Sequence, residues 1–457
     1  DDIKKCRKTD NFKSPFSYIL RLPLTEIQKG MFFGHGIDMT VVQRLNLLYL
    51  KRANLFGPFE YRFLYKNKMT IKTYTQSHYL TESVFFKSDR KLKQLLESNG
   101  FFSPMGFNDN LEITLRMRLF QLYYNAFSGV ERPFSEYSDL VDQLIEAIEP
   151  KLVSGVSATQ RAKLDVFIKI WLMRQQNQET LKVNLIEEKD EMFHLRETYQ
   201  VVRQLIEDNT DLVVSEYELN YALIFLIAQG LVKRDLLGLI EDDFPLASKL
   251  AHGLIHQVFS DDVLNLREDF DTSQLYHELF NINVQLMTFY VEPTTFINPS
   301  QILYFKELYP VFDLIINRFI ESMKPWVPFK LTPQVSINIY FDYMFCLIDF
   351  IPISEMKNPV FVAADFSLGR LYTKYIVRTL KTLYDDLVVI QDELSSRTDI
   401  VISDHYAHAC HCHQVVWTEP PTIGDWVEMG LLIRQIAQKQ LENRFPDDEA
   451  VIQDSRG

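Results

Sequence analysis

The stretch from 63 to 96, FLYKNKMTIKTYTQSHYLTESVFFKSDRKLKQLL, constrains this chain more than any other. Its spacing predicts two helices joined by a tight turn. Met69, Ile71, Tyr74 and Tyr79 supply the apolar side of the first. The break falls at Leu80, Thr81 and Glu82, with Thr81 as N-cap of the second helix. There Val84, Ser88, Leu92, Leu95 and Leu96 recur at three- and four-residue spacings and make one buried stripe. Ser83, Phe86, Lys87, Arg90 and Gln94 then face away, with Lys91 and Lys93 on the flanks. A short helix, a turn and a second helix with exposed basic and hydroxyl residues is the layout of a helix-turn-helix. In such a unit Thr81, Ser83, Lys87, Ser88, Arg90, Lys91 and Lys93 are the candidates to meet phosphates and base edges.

An ordinary helical hairpin with a solvated basic face would show the same pattern, so the distribution of charge decides. The first 100 residues hold 18 Lys+Arg against 9 Asp+Glu, and the remaining 357 hold 30 against 52. A basic segment on an acidic body is the footprint of a nucleic-acid-binding module attached to a non-binding one. The net charge of −13 hides this division. A length of 457 residues exceeds one core and implies several domains. No apolar run reaches the roughly 18 residues of a membrane span, and no signal peptide is visible. Four cysteines (Cys6, Cys346, Cys410 and Cys412) are too sparse for a disulfide framework, which points to the cytoplasm.

In chain order, residues 1–45 begin with a basic segment, either the remnant of a first helix-turn-helix or an N-terminal arm. An amphipathic helix over 41–65 leads into the helix pair, a turn-rich, wing-like stretch spans 101–110, and a strong helix covers 111–127. Helices are expected at 136–148, 158–176, 190–207 and 216–229, then at 246–259, 273–290, 304–323 and 333–350. The texture changes at Pro359: strands at 359–365, 387–390 and 399–403, with helices at 366–383 and 425–443, predict a small parallel α/β sheet. The expected fold is mainly α and multidomain. Its parts are 1–45, a DNA-binding domain at 46–135, helical domains at 136–245 and 246–355, and an α/β domain at 356–457.

With these parts in order the chain resembles the Mga/AtxA family of bacterial virulence regulators. The resemblance is carried by KMTIKTYTQSHYLTESVFFKSDRKLKQLL, by Leu111, Glu112, Ile113 and Arg116, and by Arg132 to Phe134. Toward the C-terminus DFSLGRLYTKYIVRTL, TDIVISD and TEPPTIGDW carry it further. It implies winged-helix DNA binding, two phosphotransferase-regulation domains (PRDs), a C-terminal domain like the enzyme IIB component of sugar transport systems, and a homodimer. The partners to expect are double-stranded DNA, a second copy of the chain, and a phosphotransferase-system phosphocarrier protein.

An active IIB domain needs a thiol at the end of its first strand. Here that place reads Ala363-Ala364-Asp365-Phe366-Ser367, so no phosphocysteine is expected and Asp365 reads as a helix cap. Phosphorylation on histidine would add a dianion able to reset packing, and the candidates are His194, His252, His256 and His277. His405, His408, Cys410, His411, Cys412 and His413 are metal-ligand types, but their alternation fits no zinc spacing and reads as a loop. No enzymatic signature, metal or cofactor is expected. The alternative reading is a phosphotransferase-linked sensor that acts by protein contact and carries a degenerate DNA-binding head.

Overall fold

The computed structural model describes residues 24–28, 31–34, 39–102, 110–152, 155–187, 193–232, 237–260, 270–290, 300–327, 331–351, 359–384, 387–406 and 411–444. The expected N-terminal basic segment and most of the wing-like stretch lie outside these residues. The protein is mainly helical, with a four-stranded parallel sheet in its C-terminal part. Among the described residues no helix is long and apolar enough to cross a membrane. The chain divides into two compact units, Asp1–Asp243 with Thr288–Val291, and Phe244–Met287 with Glu292–Gly457.

The first unit opens on an antiparallel hairpin, β1 (Leu24–Gln28) and β2 (Met31–Gly34), which the sequence reading did not anticipate. The helix expected over 41–65 is broken. α1 (Met39–Arg52) stops, and α2 (Phe56–Glu60) restarts with Pro58 in its first turn, where a missing N–H costs nothing. α2 continues as a π-helical turn, Tyr61–Tyr65. Then come α3 (Ile71–Ser77), α4 (Glu82–Ser98) and α5 (Leu111–Phe127), the last capped by Asn110, whose side chain accepts from the Glu112 and Ile113 amides.

The remaining helices of this unit are α6 (Ser138–Ile148), α7 (Ala158–Gln176), α8 (Phe193–Asn209) and α9 (Glu216–Ala228). α7 starts at a capping box: Ser157 Oγ accepts from the Gln160 amide, and Gln160 Oε1 from the Ser157 amide at 2.9 Å. Both α7 and α9 are buried on nearly every side, so neither shows a helical stripe in sequence. Their contact is anchored by Phe167 and Phe225, whose rings stack with centroids 3.5 Å apart.

The second unit holds α10 (Pro245–Ser260), α11 (Ser273–Thr288), α12 (Ser300–Leu308), α13 (Pro310–Met323) and α14 (Pro333–Phe350). The single helix expected over 304–323 is two, because Pro310 cannot donate to the preceding turn and opens a new helix at its own position. Buried Asn283 ties the bundle together, donating to the Ala247 carbonyl at 3.2 Å and accepting from Tyr343 Oη at 2.7 Å.

Beyond the bundle β3 (Val360–Asp365), α15 (Arg370–Tyr384), β4 (Val388–Gln391), β5 (Ile400–Ser403), β6 (His413–Val416) and α16 (Ile423–Arg444) follow. The strands lie in the order β4-β3-β5-β6, all parallel. Val360, Val362, Ile400 and Ile402 form a core with Ile376 and Leu380 of α15 and Met429 and Ile433 of α16. β6 is an addition to the expected strands: His413, expected in a loop, pairs with Ile400 through the main chain. Asp365 does not cap α15, for it ends β3 before Gly369 turns the chain at φ +98° into Arg370.

Candidate nucleic-acid interface

α3 and α4 are set by caps at both ends of the turn between them. Thr70 caps α3 by accepting from the Thr73 amide at 3.2 Å, and Thr81 caps α4 by accepting from the Val84 amide at 3.4 Å. α3 ends in a Schellman arrangement: the Leu80 amide donates to the Thr75 carbonyl at 2.8 Å and the Tyr79 amide to that of Gln76 at 3.3 Å. That closure requires a left-handed residue, a role glycine usually fills. Here Tyr79 takes it, at φ 55°. Tyr79 is 97% exposed, so it is not part of the apolar side of α3 as the spacing suggested.

The inner face of α4 is Phe85, Ser88, Leu92 and Leu96. Phe85 meets Tyr61 and Tyr74 edge-on, at centroid distances of 5.5 and 6.2 Å. Val84 and Leu95, expected inside, are exposed, because the tyrosines of the preceding segment select Phe85 and turn the helix by about one residue. Ser88 is buried and presents nothing to a partner, which removes it from the candidate contacts. The outer face carries Ser83, Lys87, Arg90 and Gln94 at three- and four-residue spacing, opposite the core, with Lys91 and Lys93 at its edges, all exposed.

Lys87, Arg90 and Lys91 form no ion pair with any described residue, whereas Lys93 lies 3.9 Å from Glu97. An exposed pair at that distance contributes little and leaves Lys93 available. Thr81 is exposed with its hydroxyl engaged in the cap. Arg62, by contrast, is spent on structure: it pairs with Asp89 at 2.6 Å and fastens α4 to the π-turn.

The π-turn is itself anchored in the helical part of the same unit. Arg174 of α7 donates to the Phe63 carbonyl, and Asn67 donates twice to Asn177, from its amide to Oδ1 at 2.8 Å and from Nδ2 to the carbonyl at 2.6 Å. Arg174 also binds Glu112 of α5, which binds Arg116 at 2.8 Å. Arg116 meets Glu218 of α9 at 2.6 and 2.9 Å. Glu218 further accepts from Trp171 Nε1 and from the Leu181 amide, each at 2.8 Å. Two arginines and two glutamates thus neutralise one another where Arg116, Arg174 and Glu218 are essentially sealed from solvent. Arg116 was legible as a sequence match; its buried partner Glu218, 102 residues distant, was not.

The histidine candidates do not form one cluster. His252 and His256 are exposed on one face of α10, as their spacing predicted. His252 Nδ1 lies 3.0 Å from the Ser248 carbonyl and its ring 4.5 Å from that of Tyr276. His277 is half-buried, with no hydrogen-bond partner for Nδ1 among the described residues. His194 belongs to α8, but its side chain lies outside the described residues. In the α/β part the Ser367 amide and hydroxyl, just after β3, donate to Asp404. Those donors hold the Asp404 carboxyl well below the usual range. His408 and Cys410 are outside the described residues. Cys412 is disulfide-bonded, a bond the sequence reading did not foresee, and among the described residues no group of His, Cys, Asp and Glu is arranged to hold a metal.

No protein-family model matches this chain, and a search of curated proteins finds no relative.

Proposed function

We propose that this protein is a cytoplasmic, homodimeric transcription regulator of the Mga/AtxA kind that binds duplex DNA through the outer face of α4. The observation that carries the reading is the stripe Ser83, Lys87, Arg90 and Gln94 opposite the helix core, with Lys87 and Arg90 free of ion pairs among the described residues. Cations not already neutralised by the protein are what phosphates can recruit, and their contacts release counterions. Lys87 and Arg90 are placed to meet phosphates, Gln94 is of a type that reads adenine edges, and Ser83 adds a hydroxyl near the N-terminus of α4. In this reading residues 46–135 are a winged helix-turn-helix, 136–245 and 246–355 are PRD-like, and 356–457 are an enzyme IIB-like domain without its thiol.

The exposed pair His252 and His256 supports regulation by a phosphocarrier protein, since a phosphoryl donor must reach the imidazole. Fluorescence anisotropy of the full chain with random-sequence duplex tests the function. The wild type binds. Lys87→Ala with Arg90→Ala loses most of that affinity, with unchanged circular dichroism and dimer mass by light scattering. Equal binding by both proteins removes α4 from the interface.

A further inference from the structure

Beside the α3–α4 turn the first unit holds a cleft of about 430 Å³ that the DNA-binding reading leaves unused. Glu60, from the last turn of α2, lies in it. Its Oε1 accepts from Tyr123 Oη at 2.7 Å and its Oε2 from Tyr74 Oη at 3.3 Å. Among the described residues no Lys or Arg pairs with this half-buried carboxylate. The ring of Tyr65 stands 5.5 Å from that of Tyr74, and Phe134 stands 4.8 Å from Tyr123, all four lining the same cleft.

The neighbouring cations are committed elsewhere. Lys51 binds Glu131 at 2.6 and 2.8 Å, and Arg132 binds Asp142 and Asp165. The remaining exposed lining charges, Arg52 and Glu136, are one of each sign. Glu60 feels the charges of His78 and Lys51 only at a distance and takes its hydrogen bonds from neutral hydroxyls, so no cation is in contact with it, and electron-rich ring faces beside it attract cations.

We propose that this cleft binds a small organic cation of the alkylammonium class, its charged centre against Glu60 and its methyl groups against the partly exposed rings of Tyr65 and Phe134, while the buried Tyr74 and Tyr123 hold the carboxylate through their hydroxyls. His78 and Leu80 line the same cleft, so an occupant touches the end of α3 and the turn into α4. An effect on DNA affinity rests on the function proposed above; the binding itself does not.

Isothermal titration calorimetry of the full chain tests the site with choline and its uncharged carbon isostere, 3,3-dimethylbutan-1-ol. Choline binds at least about tenfold more tightly than the isostere, the factor a sheltered cation–π and charge contact supplies. Glu60→Gln, which keeps one acceptor for a tyrosine hydroxyl and can donate its N–H to the oxygen of the other, brings choline down to the affinity of the isostere. If that variant does not fold, Phe134→Leu removes one wall and is read the same way. Equal binding of the two probes, no binding of choline, or wild-type choline affinity in a folded variant overturns the proposal. Duplex affinity is read separately, so choline binding without duplex binding sinks the regulator reading and leaves the cleft standing.

Discussion

Glu218→Gln should be among the most damaging conservative changes in the first unit. The wild-type carboxylate takes four donors: two from Arg116, one from Trp171 and one from the Leu181 amide. The amide offers one oxygen, turns an N–H group toward donors that need an acceptor, and leaves Arg116 short of countercharge. Breaking a buried pair by removing one partner costs about 3–5 kcal/mol. Arg116 keeps Glu112 at 2.8 Å, which sets the expectation at the lower end. For a unit of this size each kcal/mol moves Tm by roughly 2–4 °C, so a fall of about 6–12 °C is expected. Differential scanning calorimetry of the full chain reads it. Arg116→Met combined with Glu218→Leu should recover most of the loss, because no charge is then left unpaired. A fall below about 2 °C for Glu218→Gln, against that scale, would show that the network is not what joins α5 to α7 and α9.

Tyr79→Gly should raise Tm, since it relieves a left-handed tyrosine by about 1 kcal/mol and removes a side chain that is 97% exposed. A lower Tm would contradict the strain assigned to that turn. Burial holds the Glu60 carboxyl above its ordinary value of 4.5, opposed by its hydrogen bonds from Tyr123 and Tyr74. The folded state therefore binds a proton that the unfolded chain has released. Urea midpoints of the wild type should then decline relative to Glu60→Gln as pH rises from 4.5 upward. Parallel pH profiles for the two proteins would refute this.

Where apolar spacing is sustained over several turns, the sequence was readable. Leu111–Phe127, Ala158–Gln176 and Pro333–Phe350 fall where that spacing placed them, and the structure adds the caps Asn110, Ser157 and Thr332 that fix their starts. The parallel sheet was legible from its apolar runs, except β6, whose histidine-rich sequence gives no alternating pattern and which exists because β5 offers it a ladder. On α4 the charged stripe was legible because charge avoids a core. Its exact phase was not, since Val84, Phe85 and Phe86 compete and only Tyr61 and Tyr74 decide. Glu60 was invisible for a related reason: a single glutamate in an aromatic stretch shows its surroundings only once α2, α3 and α5 converge.

The most direct test of the central claim is the salt dependence of duplex binding. Each phosphate neutralised adds about 0.9 to the magnitude of the slope of log K against log salt. Lys87→Ala with Arg90→Ala should therefore flatten that slope by roughly 1.8 per protomer relative to wild type. Identical slopes for the two proteins would mean that the outer face of α4 does not meet DNA.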